Sequence, residues 1–115
     1  MDHPNEKTLR KLNGDWYWIS RAVLFSHGRT LKPSGIAVYN VLAAFANAKT
    51  QSCYPTHRTI AKIAGMSKRT VSGKLRQLEE LNLICRQRQE GLSIYYLIEA
   101  GEEKKNALEA QKTLF

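Results

Sequence analysis

The chain has 115 residues, 43% of them hydrophobic and 24% charged, which is the composition of one globular domain with a modest core. No apolar run approaches the ~20 residues of a membrane span, and the polar first seven residues have no signal-peptide pattern, so a cytoplasmic protein is expected. The net charge of +8 is unevenly placed: residues 53–88 hold eight basic and two acidic side chains (+6), residues 1–52 carry +4, and residues 89–115 carry −2. Cationic charge gathered on one segment is the footprint of a polyanionic partner.

In chain order, residues 1–13 are polar and aperiodic and are expected to be a disordered lead-in. Residues 16–19 (Trp-Tyr-Trp-Ile) are aromatic and β-branched and predict a short strand, paired with a later hairpin in a three-stranded sheet. Residues 21–25 suit a helical turn, and residues 27–33, which include Gly28 and Pro33, suit a loop. A first full helix is predicted from Pro33 to about Ala48. Its apolar residues Ile36, Val38, Tyr39, Val41, Leu42, Phe45 and Ala46 cover almost the whole circumference, as in a central core helix or one that is partly a dimer face. Residues 49–55 read as a connection.

The most informative stretch follows. Thr56 can cap a short helix in which Ile60, Ala61 and Ala64 form the buried face. Gly65 supplies the positive φ of a turn, and Met66 fills the gap beneath it. Ser67 caps a second helix, running to about Leu81, with Val71, Leu75 and Leu78 as its dry stripe. The opposite face, Lys68, Arg69, Ser72, Gly73 and Arg76, is short or basic, which suits a DNA major groove. Asn82 stands where a left-handed residue is wanted after the helix. Residues 83–88 and 93–98 predict a hairpin around Gly91, with Arg86 and Arg88 on one face by period two. Residues 99–115 predict a C-terminal helix with a thin apolar face of Leu108, Leu114 and Phe115.

Residues 53–71 (Cys-Tyr-Pro-Thr-His-Arg-Thr-Ile-Ala-Lys-Ile-Ala-Gly-Met-Ser-Lys-Arg-Thr-Val), followed by residues 78–84 (Leu-Glu-Glu-Leu-Asn-Leu-Ile), resemble the recognition unit of winged helix-turn-helix DNA-binding domains. Within these they are similar to a branch found in phage and plasmid replication proteins and small bacterial transcriptional regulators. The resemblance covers roughly residues 14–98. It implies an α+β, mostly α fold: a three-helix core with a small antiparallel sheet and wing, followed here by the C-terminal helix. Relatives commonly have Gly where this chain has Asn82, and many have a basic wing tip where this chain has Glu90, which argues against deep minor-groove insertion. The competing reading is an αα-hairpin with a basic solvated face.

The functional reading is a double-stranded DNA-binding protein with its recognition helix at about 67–81. Arg69 or Arg76 could bridge a guanine edge, with Lys68 and Ser72 beside them and Gly73 permitting close approach. Thr59, Lys62, Lys74, Arg86 and Arg88 are expected to hold phosphates. The role expected is a transcriptional regulator or a mobile-element replication initiator, working with transcription or replication machinery. The alternative is a winged-helix protein-interaction module in a replication complex. Binding to RNA is disfavoured by its narrow major groove.

No catalytic spacing is present around His3, His27 or His57, no Gly-rich phosphate cradle occurs, and no cofactor is expected. Cys53 and His57 are half of a zinc pattern with no second pair nearby in sequence, so a buried Cys beside a surface His is expected instead of a metal. The two cysteines are too few for a disulfide scaffold. One recognition helix reads only about 4–6 base pairs, so a symmetric homodimer on half-sites about 34 Å apart is expected. The contact is expected from the C-terminal helix, because the first full helix is needed for the core, with Val38, Val41 or Phe45 of that helix as the other candidate; the alternative is a monomer held in place by a second domain.

Overall fold

The computed structural model describes Arg10 and residues 15–98. Among these, three helices and three short strands follow in the order α1 (Arg21–Phe45), β1 (Ser52–Cys53), α2 (His57–Ala64), α3 (Lys68–Glu80), β2 (Ile84–Gln89) and β3 (Leu92–Leu97). The predicted lead-in, apart from Arg10, and the predicted C-terminal helix lie outside the described residues.

Helix α1 departs from expectation. It begins at Arg21, where the Ser20 hydroxyl accepts from the Ala22 N–H at 3.2 Å, so the predicted loop over residues 27–33 is helical. The breakers act within the helix instead of ending it. Lys32 sits at φ 63°, ψ 172°, dividing α1 into two halves, 21–31 and 33–45. Pro33 then opens the second half, where its missing N–H does least harm. The pieces fold closely over Leu31, which is fully buried, and over Gly35, where an added Cβ would lie 2.8 Å from the Leu31 Cβ.

A positive φ with extended ψ is a region that only glycine occupies without strain, at about 1–3 kcal/mol for other residues. Lys32 is exposed. Lys32→Gly is therefore expected to stabilise the domain by about 1 kcal/mol after the entropy cost of glycine, raising Tm by about 4–8 °C. Thermal unfolding that shows an unchanged or lower Tm would mean Lys32 adopts its conformation without strain.

Val38, Tyr39, Val41 and Leu42 bury one side of the second half, making α1 the core helix. Phe45, expected to belong to the same apolar surface, is 48% exposed, and the helix ends there instead of near Ala48. Ala46 is already extended, and beyond it the Asn47 side chain accepts from the N–H groups of Lys49 (2.9 Å) and Thr50 (3.2 Å), an Asx turn.

Residues 16–19 form no strand. The third strand of the sheet is β1, in the stretch expected to be a connection, and the order is β1-β3-β2 with both pairings antiparallel. Cys53 faces Tyr95, and Tyr95, fully buried on the middle strand, closes the core formed by α1, α2 and α3. The Trp16 segment is held otherwise: the Tyr17 hydroxyl donates to Asn40 Oδ1 at 2.9 Å, and Asn40 donates to the Ile36 carbonyl.

The hairpin forms as expected. Gln89 pairs with Leu92 across a two-residue turn, Glu90 and Gly91, both at positive φ as a type I′ turn requires.

Candidate nucleic-acid interface

Local side-chain rules position this surface. The Thr56 hydroxyl accepts from the Thr59 N–H at 3.1 Å and starts α2. Gly65, at φ 71°, ends it, and the N–H groups of Gly65 and Met66 both reach the Ala61 carbonyl. The Ser67 hydroxyl accepts from the Thr70 N–H at 3.1 Å and starts α3. At the other end Asn82, at φ 60°, completes a Schellman motif: the Asn82 N–H reaches the Glu79 carbonyl and the Leu83 N–H reaches the Leu78 carbonyl. Four positions thus fix two helices and the angle between them. Ile60, Val71, Leu75 and Leu78 are fully buried, Ala61 is buried, and Ala64 and Met66 pack against the core.

That stripe turns the opposite face of α3 outward. Lys68, Arg69, Gly73 and Arg76 are exposed and Ser72 is half-buried. Space around Gly73 is open, with nothing within 4 Å of an added Cβ. Lys62 is exposed on α2, and with Arg58, Ala61, Met66 and Lys68 it lines an open hollow of about 360 Å³ between the two helices. Arg58 is absent from the sequence-derived set, although its spacing of four from Lys62 was a usable signal.

Two expected phosphate ligands, Lys74 and Arg86, are otherwise engaged. Lys74 turns away from the exposed face: its ammonium donates to the Leu31 carbonyl at 3.0 Å and to Gln77 Oε1 at 3.3 Å. Arg86 is paired with Glu79 at 3.0 Å and lies over the Tyr95 ring, 5.4 Å from its centroid. The Thr59 hydroxyl accepts from the Thr56 hydroxyl at 3.0 Å, which leaves its own O–H able to donate to a phosphate. Arg88 is exposed on β2 beside the tip. On α2, α3 and the hairpin the exposed cations are therefore Arg58, Lys62, Lys68, Arg69, Arg76 and Arg88.

Behind the interface, Tyr95 Oη lies 3.3 Å from His57 Nε2. Burial, then the Arg86 and Lys68 charges, lower the His57 pKa. The folded state thus favours neutral imidazole, and this contribution to stability is lost as pH falls through the ordinary histidine range. Burial pushes the Cys53 thiol up to about 11, so it stays protonated and unreactive at neutral pH. Among the described residues no group of His, Cys, Asp and Glu could hold a metal ion, and no helix is long and apolar enough to cross a membrane.

Residues 29–84 match the family described as helix-turn-helix domain. No curated protein matches the chain significantly in sequence. Among solved structures, the chain is similar to TubR bound to 24 bp of tubC from Bacillus thuringiensis serovar israelensis pBtoxis, at 20% identity and a TM-score of 0.47, over 87% of this chain and 100% of that one. It is similar at the same identity and TM-score to a structure of the type III plasmid segregation protein TubR, over 88% of this chain and 93% of that one. Over residues 29–84 the chain is thus similar to that family, and in the structure α2 and α3 form a helix-turn-helix that the β2–β3 hairpin extends into a winged helix-turn-helix fold.

Proposed function

We propose that this protein binds a specific double-stranded DNA site by placing α3 in the major groove, as a transcriptional regulator or as the replication initiator of a phage or plasmid. The observation that carries this reading is the outer face of α3. Lys68, Arg69 and Arg76 have no hydrogen bond or ion pair within the described residues, while the other side of the helix is dry. Arg69 and Arg76 are the base-reading side chains, and a bidentate guanine contact is worth about 1–3 kcal/mol of discrimination. Lys62, Lys68, Arg58 and Arg88 hold backbone phosphates. The mechanism is positional: the protein occupies a site and thereby blocks or recruits other machinery.

Two copies on a palindrome would supply the length of site that one helix cannot. Val38 and Val41 are buried within the protomer and unavailable for such a contact, whereas Phe45 is exposed. Light scattering of the complex with a selected site tests this, and a 1:1 complex on a non-palindromic site would exclude the dimer.

Binding is expected to weaken steeply with salt, by a log–log slope of about −0.9 per phosphate contacted. Fluorescence anisotropy on a duplex recovered from a random pool measures it. Replacing Arg69 and Arg76 by Ala is expected to remove the preference for that duplex over scrambled DNA, whereas Arg88→Ala should weaken both equally. A flat salt dependence would overturn DNA binding itself.

A further inference from the structure

We infer that Lys74 and Gln77 are positioning residues, which set the orientation of α3 by locking it to the break in α1. The inference rests on the DNA reading above. It concerns the half-buried flank of α3 between its outer face and the dry stripe, where Lys74 and Gln77 lie.

The break in α1 creates the acceptors. Pro33 has no N–H to give the helical ladder, and Lys32 leaves helical conformation, so the carbonyls at the end of the first half stand at a helix C-terminus. Two side chains of α3 reach them. Lys74 Nζ donates to the Leu31 carbonyl at 3.0 Å, and Gln77 Nε2 donates to the Thr30 carbonyl at 3.1 Å. Lys74 Nζ also donates to Gln77 Oε1 at 3.3 Å, closing the set. The ammonium thus stands at the negative end of a half-helix dipole, where a cation is favoured.

The apolar stripe cannot do this alone. Val71, Leu75 and Leu78 bury α3 without directional contacts, so they fix its depth better than its roll. Hydrogen bonds to two adjacent carbonyls fix roll and tilt. At about 1.5 Å per residue α3 is some 20 Å long, so a tilt of about 3° displaces its far end by about 1 Å. A planar bidentate arginine–guanine pair is more sensitive to that displacement than a flexible basic chain on a phosphate. Loss of the lock therefore reduces discrimination more than overall affinity.

The test measures salt-dependent binding of the full chain to a selected duplex and to scrambled DNA, with far-UV circular dichroism confirming that each variant is folded. Lys74→Met and Gln77→Ala are each expected to lower the ratio of specific to non-specific affinity by about tenfold. The salt slope and the affinity for scrambled DNA should stay unchanged. Lys74→Arg, which keeps a donor, should recover most of the ratio. Gln77→Ala removes no charge, so its effect cannot come from a lost ion pair with phosphate, and a lost neutral phosphate contact would weaken both duplexes alike. A Lys74→Met slope shallower by about one, with equal loss on both duplexes, would make Lys74 a phosphate ligand and overturn the inference. Ratios unchanged in both variants would also overturn it. Wild-type protein that binds neither duplex would remove the DNA reading and this inference together, an outcome visible before any variant is made.

Discussion

Tyr95→Ala is expected to cost about 3–5 kcal/mol of folding stability, the range for removing a large buried ring. Tyr95 is the largest fully buried side chain, and it lies on the middle strand, between the sheet and the helices. Against a total of about 5–15 kcal/mol for a domain, that loss would leave much of the population unfolded at physiological temperature. The ring also carries the Arg86 guanidinium, and the hydroxyl contacts His57, so its removal loosens both the wing and the start of α2. Tyr95→Phe keeps the ring and is expected to lose only about 1 kcal/mol, the usual net worth of one hydrogen bond. Urea unfolding of the two variants separates these contributions. An alanine variant within 1 kcal/mol of wild type would be incompatible with the core described.

Gly35→Ala is expected to destabilise by about 1–3 kcal/mol, against the usual direction of the change. Within a helix, glycine to alanine ordinarily stabilises by about 1 kcal/mol. Here the added Cβ would lie 2.8 Å from Leu31 Cβ and 3.1 Å from Leu31 Cδ2, and Leu31 is buried with no room to give. Gly73 provides the opposite case on α3. It is exposed with open space around it, so Gly73→Ala should stabilise by about 1 kcal/mol. If Gly73 admits close approach of DNA, the same variant weakens binding. Thermal melts of both variants and one binding titration suffice. Stabilisation by both substitutions would show that the break in α1 relaxes without penalty.

The helix-turn-helix was legible because its signals are local. Thr56, Gly65, Ser67 and Asn82 act on backbone groups a few residues away, and the Val71, Leu75, Leu78 stripe fixes the phase of α3. The same phase placed Lys68, Arg69, Gly73 and Arg76 outward. The first half of α1 was hidden because Gly28 and Pro33 read as breakers, whereas the chain absorbs them in one kinked residue, Lys32. The strand β1 was hidden because two residues carry no periodicity and their partners, Tyr95 and Tyr96, lie far along the chain. The aromatic run at 16–19 had the stronger β propensity but no free sheet edge assigned to it by its own composition. Lys74 and Arg86 looked like phosphate ligands because residue type alone does not show the acceptor opposite. For Lys74 that acceptor is a carbonyl of the broken helix, and for Arg86 it is Glu79.

The middle strand β3 is also the last of the three to be synthesised. Its partner β1 waits from residue 53 to residue 95 for its pairing, so closing that sheet edge follows a long loop closure, whereas the β2–β3 hairpin is local. Assembly is therefore expected to be ordered, with the hairpin closing first and then pairing with β1 as Tyr95 seats among the helices. On the ribosome, α1, α2 and α3 emerge before the ring that closes the sheet side of their core.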